Sequence, residues 1–226
     1  MPKKTKAIKQ TDRKKAWYKK HRPSEYLIET KEANKIILIV CEGQTEKLYF
    51  ESFPVLTLTV QAVNLGGQSK LVLIDATDEI ARNNDYDKVW CVFDMDVTQG
   101  KREFSDFDNA ILRGHARGYE VAYSNDSFEL WFYLHYNMTD QRNHRDFYYE
   151  VLSNYWECNY VDRGKKYEFC QNIYDRLITD ERASQTNAIR RAESLFERQR
   201  DLPYHRQNPV TLVFELVRYL NANSRQ

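Results

Sequence analysis

Four carboxylates stand at the ends of apolar runs in this chain, and their spacing is what could do chemistry. Glu42 directly follows "KIILIVC", and Glu46 lies one helical turn beyond it in "CEGQTEK". Asp94 and Asp96 close the run "DKVWCVFDMD". In an open parallel sheet, ligands collect outside the carboxyl ends of the strands. Residues two apart on a strand point the same way, so Asp94 and Asp96 share a face. If the two runs are neighbouring strands, Glu42, Asp94 and Asp96 meet at one edge. Uncompensated, such carboxylates repel and raise each other's pKa. A divalent cation removes that conflict, and an oxygen-only set suits Mg2+ or Mn2+. Metal ions held there would polarise a phosphodiester and generate hydroxide from water. Glu46 is placed to reach the same ions. An isolated Asp-x-Asp is more often a turn or cap pair; the weight comes from carboxylates at two strand ends in one framework.

The elements that must position these residues can be read along the chain. "KIILIVC" (35–41) is a strand buried on both faces. "TEKLYFESF" (45–53) reads as a helix capped by Thr45 and closed by Pro54. "LTLTVQAV" (56–63) alternates like a strand, and "NLGGQS" (64–69) is a turn built on Gly66 and Gly67. Leu71, Ile74 and Ala81 mark the apolar face of a helix over 70–83. A strand follows at 87–96, a helix at 106–118 with Gly118 as its C-cap, and a fourth strand at 119–124. The order βαβαβαβ gives an α/β fold, a parallel sheet flanked by helices. The remainder reads as a helical C-terminal extension. Its segments are an apolar helix at 127–136, helices and loops over 137–186, and helices at 186–200 and 208–220. Asn208 is expected to cap the last of these, with Pro209 in its first turn. Three regions result: a basic arm (1–34), the α/β core (35–136) and a mainly helical region (137–226) packing on it.

Composition bounds the function classes. The chain has 226 residues and a mean hydropathy of -0.76, yet its 16 Tyr, 11 Phe and 4 Trp can build a core. The net charge is +1, but the first 22 residues hold ten Lys and Arg against Asp12 alone. A basic arm on a mildly acidic body suits a polyanion partner, DNA or RNA; a solvated tail is the plainer alternative. Cys41, Cys91, Cys158 and Cys170 form no CxxC pair and read as thiols of a reducing cytoplasm. No apolar run reaches membrane-span length and no signal peptide is evident, so a soluble cytoplasmic protein is expected. The histidines show no HExxH spacing, and His135 reads as a packed core residue. "GQTEK" is not a Walker A loop, so ATP hydrolysis would belong to a partner. The length leaves no room for the strand-passage domains of a topoisomerase.

"VCEGQTEKLYF" followed by "VFDMD" resembles the Toprim signature, a glutamate after the first strand and an Asp-x-Asp after a later one. That likeness covers about residues 35–124. "SNDSFELWFYLHY" (124–136) and "NPVTLVFELVRYL" (208–220) are similar to segments of the RloB family, SNxxFExWxxLH and NPxT. With the first two motifs they keep the family's order across most of the chain. Val210 stands where a Ser or Thr often follows the proline. The resemblance implies a Toprim-like fold and a metal-dependent nuclease of phage-defence (abortive-infection) loci, working with an AAA- or ABC-type ATPase. It implies Glu42, Asp94 and Asp96 as metal ligands, and it adds Glu129 to a catalytic set of Glu42, Glu46, Asp94 and Asp96. Ser124 and Asn125 could cap the following helix or bind phosphate, capping being the simpler role. Lys70 could neutralise phosphate, though a first-turn surface lysine is the simpler reading. A non-catalytic module binding nucleic acid or the ATPase, and a primase-like nucleotidyl transferase, remain as alternatives. DNA versus RNA, and whether the chain forms a homo-oligomer, are open at this stage.

Overall fold

Five consecutive apolar residues, Ile37–Cys41, form strand β1, and every one is buried. A strand so covered on both faces belongs inside a parallel sheet. The computed structural model describes residues 35–65, 68–95 and 101–224, without the side chains of Lys101 and Arg102. The expected basic arm (1–34), the Gly66–Gly67 turn and Asp96 lie outside the described residues. β1 pairs in parallel with β2 (Leu58–Ala62) and with β3 (Lys88–Asp94). β4 (Glu120–Asn125) continues the parallel sheet, and β5 (Val210–Thr211) closes it antiparallel. The strand order is β2-β1-β3-β4-β5, so the first and third strands are neighbours.

Helices α1 (Gln44–Glu51), α2 (Lys70–Ala81) and α3 (Lys101–Ala116) connect the strands. The α1 crossover runs to one side of β1, whereas α2 and α3 advance the chain the other way. Right-handed crossovers therefore put α1 on the face opposite α2 and α3. Helix α4 (Glu129–Tyr136) follows β4. It meets α1 through an aromatic cluster in which Tyr49 stands edge-on to Phe50, Phe53, Phe128 and Phe132. The Trp131 indole donates to the Tyr49 hydroxyl at 2.8 Å, satisfying a polar group buried among these rings.

The polar, aromatic-rich stretch after α4 folds as α5 (Arg145–Tyr155), α6 (Tyr160–Arg163), α7 (Tyr167–Cys170) and α8 (Ile173–Thr179). Then come α9 (Gln185–Glu197) and α10 (Val213–Asn223). α9 packs on α4, and α10 packs on α9 and β4. Cys41, Cys91 and Cys170 are buried free thiols, and Cys158 is partly exposed.

The structure corrects several local expectations. Thr45 does not cap α1; Gly43 is the N-cap, with extended backbone and no side-chain bond. Helix α3 begins at Lys101, earlier than expected. Asn208 does not open the last helix either. Val210–Thr211 instead pairs with β4, and α10 starts at Val213. The cause is the exposed edge of β4, whose unpaired backbone groups gain a partner strand. Leu212 is the N-cap of α10, without a side-chain bond, and Thr211 Oγ1 before it accepts from Val213 N at 3.3 Å. Asn208 instead donates its amide to Gln199 Oε1 at 2.9 Å and its Nδ2 to Asn125 Oδ1 at 3.1 Å.

Candidate active site

The chain's crossovers diverge between β1 and β3, and the crevice beyond the carboxyl ends of such a pair is where open α/β sheets bind ligands. Cys41 is in register with Val92, so Glu42 stands opposite Phe93, one residue short of Asp94. The Glu42 amide still donates to Val92 O at 2.9 Å, which fixes its backbone to β3.

The Glu42 carboxylate receives the Lys70 ammonium on both oxygens, at 2.5 and 2.6 Å. Lys70 is buried and not a surface residue, contrary to expectation. Its amide donates to Asp106 Oδ2 at 2.7 Å, and Ser69 Oγ accepts from Leu71 N at 3.2 Å. These caps seat the first turn of α2 so that Lys70 reaches the end of β1.

Asp94, the last residue of β3, is half-buried and accepts from Phe128 N at 3.3 Å. Burial raises its pKa well above the carboxylate range, and Glu42 and Glu46 add to that; Lys70 and Arg145 oppose it without cancelling it. Glu46 lies in the first turn of α1 and is buried. A side chain at Gly43 would collide with the Glu46 carboxylate, so the glycine admits it over the helix N-terminus. Burial pushes Glu46 up to about 7; its own amide lowers it, and Glu129 and Glu42 push it further up.

Glu129 opens α4, is buried, and accepts from the Tyr160 hydroxyl at 3.3 Å. Burial, then the Glu129 charge, raises the phenols of Tyr149 and Tyr160. Lys165 is raised although burial works against it, because Glu129 and a hydrogen bond with Tyr149 favour its charged form. Thus Glu42, Glu46, Asp94 and Glu129 act electrostatically on one another or on shared neighbours, while Asp96 lies outside the described residues.

Among the described residues, no three His, Cys, Asp or Glu converge as a ready metal cage. The donor chemistry nevertheless fits a hard cation. It is made of oxygens alone, Glu42 already holds a cationic group, and Asp94 and Glu46 are raised by burial first and by neighbouring negative charge second.

Some residues here escaped sequence reasoning. The place of Lys70 after the Gly66–Gly67 turn suggested phosphate contact but not its pairing with Glu42; nothing in the sequence pointed to Tyr160 or Lys165. Asp126 and Ser127 are buried beside the site, and Asp126 Oδ2 accepts from Arg145 N at 3.1 Å. Ser124 and Asn125 neither cap α4 nor stand open to a ligand. Ser124 Oγ shares a hydrogen bond with Thr211 Oγ1 at 2.7 Å, and Asn125 Nδ2 donates to His205 O at 3.2 Å. His135 is a core residue, with Nδ1 at 3.0 Å from Trp131 O and a pKa pushed down by burial to about 4.

No helix among the described residues is long and apolar enough to cross a membrane. A family model described as RloB-like protein matches residues 37–220. No curated protein and no solved structure matches the chain.

Proposed function

We propose that this chain, which belongs to the RloB-like family, is a nuclease that hydrolyses phosphodiester bonds with Mg2+ or Mn2+. The observation that carries the reading is Glu42 and Asp94 at the ends of adjacent parallel strands, flanking the divergence of the crossovers. Glu42, Asp94 and Asp96 would hold the cation, which when bound polarises the phosphodiester and lowers the pKa of water. Lys70 supplies an ammonium to a phosphate oxygen beside Glu42. Glu46, with a pKa near 7, is suited to accept the proton of an attacking water. Glu129, held by Tyr160, extends the acidic wall and keeps Lys165 charged. The resemblance noted above adds the setting: defence against phage in the cytoplasm, together with an AAA- or ABC-type ATPase.

One observation favours a second reading. Glu42 is already neutralised by Lys70, as it would be in a catalytically silent module that binds nucleic acid or the ATPase. The purified chain, with and without that ATPase, separates the two on plasmid, linear DNA and tRNA with Mg2+, Mn2+ or EDTA. Metal-dependent cleavage that Asp94→Asn abolishes supports the nuclease. No cleavage under any condition contradicts it, and incorporation of nucleotides would point to a transferase.

A further inference from the structure

Beyond Asp94 the sheet edge borders a cavity of ≈ 660 Å³, lined in part by Met95, Phe104, Asp108, Arg142, His205 and Arg206. Its volume falls within the range of small-molecule sites. Met95 directly follows Asp94, so the cavity adjoins the carboxylate edge.

Asp108 fixes the central residue twice over. It accepts from the His205 amide at 2.8 Å and from His205 Nδ1 at 2.7 Å. A carboxylate only accepts, so Nδ1 carries the proton and Nε2 is the nitrogen left to meet a ligand. The imidazole stacks on Phe104, with centroids 5.2 Å apart and planes 21° apart. Arg142 and Arg206 are exposed guanidinium groups on the cavity wall. Asn208 also lines it; its Nδ2 is taken by Asn125, and its buried Oδ1 has no hydrogen-bond partner among the described residues. The cavity thus combines a stacked ring pair and two planar cations. A nucleotide presents a ring face and a phosphate, and matches both of these.

We propose that this cavity seats one nucleotide of a nucleic-acid strand, with the base at His205 and Phe104 and the phosphates on Arg142 and Arg206. Its assignment to the substrate strand rests on the nuclease reading; the binding itself does not. The test is therefore made in EDTA, by fluorescence anisotropy of the full chain with labelled single-stranded 12-mers of DNA and RNA. The double variant Arg142→Ala/Arg206→Ala should weaken binding about tenfold and flatten the plot of log affinity against log salt by about 1.4, two phosphates' worth. Arg190→Ala/Arg198→Ala removes the same charge from α9 and its C-cap, outside the cavity, and should change affinity less than about twofold. Adenosine monophosphate should displace the oligonucleotide from the wild type, and His205→Gln should weaken that competition with both arginines in place. Equal loss in the two double variants, or no loss in either, would overturn the proposal. Undiminished competition in His205→Gln, or no competition in the wild type, would overturn the base seat. Metal-dependent cleavage is scored separately, so loss of this inference and loss of the nuclease reading give different results.

Discussion

Asp180 and Glu46 are both carboxylates at helix ends, and the fold drives them in opposite directions. Asp180 follows α8 and is surrounded by donors. Arg182 reaches it through Nε at 2.9 Å and Nη2 at 2.8 Å, and the Tyr136 hydroxyl adds a bond at 3.1 Å. The Arg182 hydrogen bonds bring its pKa down to about 2. Glu46 is buried, is answered mainly by its own amide, and faces Glu129 and Glu42; burial and those charges push it up to about 7. An acid that serves architecture is given its counter-charge by the chain. Glu42 has Lys70, but Asp94 and Glu46 are not fully compensated, and perturbed groups converging in a crevice mark a ligand's place.

The sharpest break of this contrast is Asp94→Asn, which keeps shape and removes charge. Initial-rate assays should show metal-dependent cleavage falling on the order of a thousandfold. The metal-free melting temperature should hold or rise, because repulsion is relieved. Glu42→Gln should lose cleavage as well but melt lower, since it strips buried Lys70 of its partner. Both variants cutting at the wild-type rate would remove the edge from the chemistry.

Glu46→Gln tests the raised carboxylate through stability. A folded pKa of about 7 against an ordinary 4.5 means that the folded state holds the proton more tightly. The stabilisation is complete below about pH 4.5 and is lost as pH rises through 7, a change of roughly 3 kcal/mol. Urea unfolding of metal-free protein across that window should show a steeper decline in wild type than in Glu46→Gln, which keeps only the part due to Asp94 and the other titrating groups. Equal slopes would erase the distinction from Asp180.

Lys70→Ala should cost about 1–2 kcal/mol without metal, because Glu42 is left half-buried without its cation. The same variant should bind divalent cations more tightly; weaker binding in calorimetry would mean that Lys70 supports the ion rather than standing in for it. The smallest effect belongs to the architectural acid. Asp180's contribution is present above pH 3.8 and lost as pH falls through about 2. Arg182→Ala should remove that contribution, lowering stability at neutral pH slightly because Arg182 is exposed, and leave stability below about pH 2 unchanged.

The strands carrying the site were legible because buried parallel strands are continuous apolar runs, as in "KIILIVC" and "DKVWCVFD". The meeting of Glu42 and Asp94 was legible as a condition, and the pairing of β1 with β3 fulfils it. The partners of these acids were not. Lys70 is 28 residues from Glu42, and His205 is 97 from Asp108, so no local pattern links them. Asn208-Pro209 carries a good local helix start, but a distant strand edge claimed Val210 and Thr211. Glu129 entered through resemblance alone. Its bond from Tyr160 comes out of a polar stretch with no readable period.

The most direct test of the central claim is calorimetric titration of the metal-free chain with Mn2+ near pH 6, in two buffers of different ionisation enthalpy. Wild type should bind the ion and release protons, because Asp94 and Glu46 are raised above the carboxylate range and must ionise fully to hold it. Asp94→Asn should show neither the binding nor the buffer-dependent heat. Wild-type protein that takes up no Mn2+, or Asp94→Asn that takes it up unchanged, would contradict the account.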